Sequence, residues 1–247
     1  MTVESTQLPP LEPLPEDWQR ALVIVAHPDD VEYGGAAAVA RWTGQGKQVA
    51  YCLVTSGEAG IDALPPDQAG PLREAEERAA AAIVGVRAVE FLGHPDGTVE
   101  YGVPLRRDLA GVIRRHRPEI VLTSNFRETW GGVFLNQADH IAVGRAAVDA
   151  ARDAGNRWVF PEHGGAPWNG VRAVWAGGSP ESRHGVDVTE TFAAGVASLR
   201  AHQAYLAGLG DQSPDPEEFL ESLARTAGTR LGCKFAASFE VFPLQLF

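Results

Sequence analysis

The chain has 247 residues, a length that suits one large α/β domain or two small ones. Its formal charge of -11 argues against nucleic acid as a partner, because phosphate binding draws on clustered Lys and Arg, and against adsorption to an anionic membrane. The composition, 45% hydrophobic and 21% charged, is that of an ordinary globular protein. No apolar run approaches the ~20 residues needed to span a bilayer, and the N-terminus lacks a basic region followed by an apolar one. Cys52 and Cys233 are far apart and form neither a Cys-x-x-Cys pair nor a disulfide framework, so the expected compartment is the reducing cytoplasm.

Residues 1–20 carry Pro9, Pro10, Pro13 and Pro15 among acidic residues and read as an extended arm rather than a core element. The apolar run Ala21–Ala26 has strand length and no alternation, as in a parallel strand buried on both faces. A small-residue helix over about 32–44, a strand at 48–55 and a Gly/Pro/Asp-rich loop at 57–71 follow. Next come a helix at 72–84, a strand at 88–92, a helix at 104–116 and a strand at 119–123. A helix at 139–154 and a strand at 172–176 extend the rhythm. Beyond Ser179 the pattern loosens into a helix near 190–207, a break at 213–216, a helix to about 226 and an apolar tail at 235–242. Strand and helix in alternation predict a Rossmann-like, mostly parallel, doubly wound sheet with a C-terminal α/β extension, all within one catalytic domain spanning 21–247.

His27-Pro28-Asp29-Asp30 stands at the end of the first buried strand, where open α/β sheets bind ligands. His27 and Asp30 are metal-ligand types, and Asp29 lies beside them as a carboxylate free to accept a proton from a metal-activated water. An Asp-Asp pair before a helix also serves as an N-cap, so this segment alone leaves both readings open. The segment Asn136-Gln137-Ala138-Asp139-His140 follows another strand end. With His140 the set becomes two His and one Asp, with a coordination position left for water. Asp139 is placed to hold the ring of His140 or of a neighbour.

Together, Ala26-His27-Pro28-Asp29-Asp30-Val31-Glu32 and Gly34-Gly35 resemble the opening motif of the PIG-L/LmbE deacetylases. Thr55-Ser56-Gly57-Glu58, Arg73-Glu74-Ala75-Glu76, Phe91-Leu92-Gly93 with Asp96-Gly97, Asp187-Val188-Thr189 and Ala201-His202 resemble its further landmarks. The resemblance implies a zinc enzyme (Zn2+) that removes an N-acetyl group from a small acylated amine of amino-sugar type. It implies metal on His27, Asp30 and His140, with Asp29 as base, and Arg73 and Asp96 at the substrate end. Read without it, Arg73 suits an exposed helix salt bridge and Asp96 a turn. The family's His-x-Asp-His segment has Gln137 in place of its first His, and Leu135 where a tyrosine is often found. Gln137 can donate to an oxyanion but cannot transfer a proton. The acid step then falls to protonated Asp29 or to His202, His184 or His163.

Two further readings remain at this point: an amidase for a larger conjugate, with Trp130, Phe134 and Trp168 forming an apolar pocket, and a metal-binding relative without turnover. A dinucleotide site is disfavoured, since two carboxylates at the first strand end would repel a pyrophosphate. Self-association into a homo-oligomer is left open.

Overall fold

The first long strand, β2 (Arg20–Val25), lies inside an eight-stranded sheet, in the middle of its run of parallel strands. In the computed structural model, which describes residues 8–210 and 214–244, β2 pairs in parallel with β3 (Gln48–Leu53) on one side and β5 (Ile120–Ser124) on the other. β4 (Ala88–Phe91) and β8 (Ala173–Gly177) continue the parallel array outward. Strand order therefore reverses at β2, and the crevice at the carboxyl ends of β2 and β5 is the topological switch point. The Rossmann-like parallel sheet expected from the sequence is present.

Alternate residues of β2 feed different cores. Ala21, Val23 and Val25 face one layer with Trp42, Tyr51 and Trp175, whereas Leu22 and Ile24 face another with Leu105, Leu109, Ile113 and Val143. The second layer is roofed by α3 (Val103–His116) and α4 (Ala138–Asp153). On the opposite face lie α1 (Ala36–Gly44), α2 (Pro66–Ile83) and α5 (Phe192–Arg200). Beyond β8 the sheet changes character: β10 (Ala236–Pro243) runs antiparallel to β8 and to β9 (His184–Asp187).

Several boundaries differ from the sequence reading. α1 starts at Ala36, not near 32, because residues 31–35 complete the turn that follows His27. α2 starts at Pro66, inside the expected loop: Pro65 is extended, and Pro66 at the first helical position has no N–H to lose. Pro71 lies within that helix. The expected helix at 190–207 breaks at His202 into α5 and α6 (Gln203–Gly208), and α7 (Pro216–Leu231) runs further than expected, to a left-handed Gly232. A small hairpin, β6 (Thr129–Trp130) with β7 (Phe134–Leu135), was not legible in the sequence.

The N-terminal arm needs correction. It is extended, with β1 (Glu12–Pro13) paired to β9, but Leu11, Leu14 and Trp18 are buried. Proline keeps the backbone extended without keeping the apolar side chains from the core. Trp18 packs edge-on against Trp42 and Trp175, with ring centroids 5.3 and 6.1 Å away. Trp18→Ala is expected to lower unfolding free energy by about 3–5 kcal/mol, measured by urea denaturation.

Candidate metal centre and its surroundings

The tight turn after β2 folds His27 and Asp30 towards one point. Asp30 Oδ2 accepts the amides of Ala26 and His27 at 3.0 Å each, which leaves Oδ1 pointing outward. His140, on the first turn of α4, brings its Nε2 to 2.9 Å from Asp30 Oδ1 and 3.2 Å from His27 Nδ1. His27 Nδ1 lies 3.8 Å from Asp30 Oδ1. Tetrahedral donors at roughly 2.0–2.1 Å from zinc would be about 3.3 Å apart, so these edges suit a small metal ion.

The outer contacts decide which atoms converge. His27 Nε2 faces two carboxylates, Asp96 Oδ1 at 3.0 Å and Asp139 Oδ2 at 3.3 Å, and so carries the proton. His140 Nδ1 faces Asn136 Oδ1 at 2.9 Å, while Asn136 Nδ2 donates to the carbonyls of Asn125 and Arg127, which fixes the amide's orientation. Both imidazole lone pairs and the Asp30 oxygen therefore face one another. Three acceptors this close repel unless a cation lies between them. Burial works against charge on His27, yet Asp139, Asp30 and Asp96 push its pKa up to about 12. Burial likewise opposes ionisation of Asp30, but His140 and His27 hold its carboxyl well below the usual range. A site that attracts a proton so strongly also attracts a metal ion.

Asp29 occupies a different environment. Its φ of 100° is a conformation that side chains rarely adopt, a local strain that the surroundings must impose. Its Oδ2 pairs with Arg73 Nη2 at 3.2 Å. Burial pushes the Asp29 carboxyl up to about 6 against the pull of Arg73. Arg73 is 2% exposed, donates to the carbonyls of Pro28 and Gly57, and lies 4.4 Å under the ring of Tyr205. A Cβ at Gly57 or Gly60 would sit 2.3 or 2.2 Å from Arg73 Nη1, so those positions have room only for glycine. The Tyr205 ring covers the Arg73 guanidinium that pairs with Asp29, and Glu76 receives the amides of Ala204 and Tyr205 at the start of α6.

The structure thus brings His27, Asp29, Asp30, Asp139 and His140 together and places the rest as follows. Asp139 serves His27, not His140, and accepts the amides of Gly97 and Val99 with its two oxygens. Asp96, expected at the substrate end, has its buried carboxylate on His27 and on the Ala59 amide, while Glu58 receives the Asp96 amide. Arg73, also expected there, has its guanidinium committed to Asp29 and the two carbonyls. Gln137 precedes α4 and is exposed, without a side-chain capping bond. His202 is fully buried, and His184 sits on β9 at 3.8 Å from Glu12, so neither meets the crevice. Exposed His163 instead gives its carbonyl to Arg114. Trp130 stands edge-on to His140 and Phe134 is exposed, but Trp168 bonds the Pro118 carbonyl at the opposite end of β5. Asn136, Glu77 and Tyr205 were not singled out by the sequence. Only Asn136 carried a signal, lying one helical turn before His140.

A model of the PIG-L family, described as GlcNAc-PI de-N-acetylase, matches residues 22–151 and so includes both segments of the candidate metal centre. The chain belongs to the PIG-L family. Among its relatives, a 1D-myo-inositol 2-acetamido-2-deoxy-alpha-D-glucopyranoside deacetylase of Geodermatophilus obscurus is 33% identical over 184 residues, covering 64% of this chain and 60% of that protein. This PIG-L chain therefore spans less than two thirds of that relative's length. A diacetylchitobiose deacetylase of Thermococcus kodakarensis is 25% identical over 92% of this chain and 84% of its own. The fold matches N,N'-diacetylchitobiose deacetylase from Pyrococcus horikoshii with a TM-score of 0.82 at 22% identity, covering 92% of this chain and 85% of that one. Among the described residues, no helix is long and apolar enough to cross a membrane.

Asp139→Asn replaces one of the two carboxylates on His27 Nε2 and one backbone acceptor. Metal affinity is expected to fall about 10- to 100-fold, measured by competition with a chelating dye.

Proposed function

We propose that the chain is a zinc-dependent hydrolase that removes an N-acetyl group from a small amino-sugar-type substrate. The observation that carries this reading is the convergence of His27 Nδ1, His140 Nε2 and Asp30 Oδ1 beside the separate carboxylate of Asp29. Two imidazoles and one carboxylate are a catalytic zinc donor set, three protein ligands with a place left open. Bound there, zinc would supply positive charge for the acyl oxygen and a water of pKa about 7. The family and the names of the deacetylase relatives support the amide as the bond cleaved.

Asp29 acts as general base. It takes a proton from the attacking water as the new C–O bond forms. The Gln137 amide, on the exposed side of the α4 start, donates to the developing oxyanion. Protonated Asp29 then delivers its proton to the amine as the C–N bond breaks, giving acetate and a free amine. That route needs no histidine at position 137. Arg73, under the Tyr205 ring, holds the Asp29 carboxylate while it changes protonation, and Asp96 and Asp139 hold the His27 ring.

A second reading, an amidase acting on a larger conjugate, draws on the hairpin just before His140. There Val133, Phe134 and Leu135 are 76%, 74% and 84% exposed, an apolar rim suited to a bulky partner group. Hydrolysis rates for N-acetylated monosaccharides, disaccharides and thiol–sugar amides separate the two readings, and a preference of more than tenfold for the large amides would overturn the first.

Asp29→Asn is expected to keep one zinc per chain and lose at least ~100-fold in kcat, whereas His140→Ala is expected to lose the metal itself. Zinc content by elemental analysis alongside deacetylation kinetics checks both. An active Asp29→Asn enzyme would remove Asp29 from the mechanism.

A further inference from the structure

Behind Asp29, on the protein side, lies a second ionisable cluster that the proposed chemistry does not use. Glu32, Glu77 and His202 are 1%, 0% and 0% exposed. His202 Nε2 lies 3.6 Å from Glu77 Oε2 and 3.7 Å from Glu32 Oε2, and Ser198 Oγ donates to Glu32 Oε1 at 3.0 Å. Both ring nitrogens of His202 and the buried hydroxyl of Tyr51 lack a hydrogen-bond partner among the described residues. Two carboxylates in such a place are costly unless paired or hydrogen-bonded.

What they touch is the backbone of Asp29. The Asp29 amide donates to Glu77 Oε2 at 3.2 Å. At a φ of 100° this N–H lies outside any regular ladder and needs an acceptor of its own. Glu77 stands one helical turn after Arg73 on α2, so a single helix face holds Asp29 at both ends, the guanidinium on its carboxylate and the Glu77 carboxylate on its amide. His202, at the junction of α5 and α6, backs Glu77 from the far side.

We propose that Glu77, backed by His202 and Glu32, is a positioning residue that holds the Asp29 amide and keeps the Asp29 carboxylate aimed at the metal centre. The inference rests on Asp29 being the base. The variant Glu77→Met removes the acceptor at similar volume, and Glu77→Gln keeps an oxygen for the amide. In Glu77→Met, kcat on an N-acetylated amino sugar is expected to fall at least ~30-fold with KM within about threefold. One zinc per chain is retained, and hydrogen exchange of the Asp29 amide accelerates more than about tenfold. Glu77→Gln stays within about threefold of the unaltered enzyme in kcat.

Unchanged kcat and exchange in Glu77→Met, an equal loss in Glu77→Gln, or loss of zinc from either variant would each overturn the proposal. So would a second metal equivalent that disappears in His202→Ala, because the cluster would then be a metal site. If Glu77→Met does not fold, the unaltered protein decides: exchange of the Asp29 amide as slow as the core of β2 supports the clamp, and rapid exchange overturns it. Full activity in Asp29→Asn would sink the base assignment alone, since amide exchange in Glu77→Met still reads the clamp.

Discussion

Everything at the carboxyl end of β2 is arranged around one electrostatic problem. Two imidazole nitrogens and a carboxylate oxygen are held within 4 Å of one another, a group that must gather a proton or a metal ion. Carboxylates on His27 and an amide oxygen on His140 fix both tautomers so that the free electron pairs point inward. Such a group is stable only around positive charge. The surrounding loops follow from it: Gly97 and Val99 donate to Asp139, Ala59 donates to Asp96, and Glu58 receives the Asp96 amide. Segments far apart in sequence are thereby tied to one imidazole ring.

Two adjacent aspartates sit in different surroundings and are shifted in opposite directions. Asp30 receives two backbone amides and two imidazoles and stays ionised well below the usual carboxylate range. Asp29 has an unusual φ, meets the Arg73 guanidinium, and is pushed by burial up to about 6. One is suited to holding a cation and the other to exchanging a proton. Neighbouring carboxylates with diverging environments are a common sign of divided acid–base and binding roles.

Much of this was legible because it is local. The His-Pro-Asp-Asp turn at a strand end and the Asp-His pair at a helix start are readable as residue types at a favourable place in an α/β sheet. The alternating strand and helix pattern predicted the parallel sheet around β2. What stayed hidden depends on long-range pairing. Arg73 and Asp96 carried a resemblance to substrate-end residues, but only the fold reveals that Arg73 holds Asp29 and that Asp96 holds His27. The N-terminal prolines announced an extended chain, yet nothing in their spacing said that Trp18 would fill the layer beneath Trp42 and Trp175. Glu77 looked like one more acid on a charged helix, and its burial is a property of α5 and α6 closing over it.

That closure bears on how the work is shared along the chain. The matched family region, residues 22–151, contains both segments of the candidate metal centre and α2. Tyr205 over Arg73 and His202 against Glu77 come from beyond it, on α5, α6 and their junction. The metal donors could form without these later elements, since each is fixed by β2, α4 and the loops between them. Asp29 could not hold its φ of 100° so easily, because the acceptor of its amide and the ring over its guanidinium partner are both backed by the later helices. Under the proposed function, changes in α5 and α6 should therefore alter turnover while sparing metal affinity, whereas changes in the loop at 94–99 should lower metal affinity and turnover together. The segments that gather the His27, Asp30 and His140 donors and the helices that brace Asp29 thus lie on different parts of the fold.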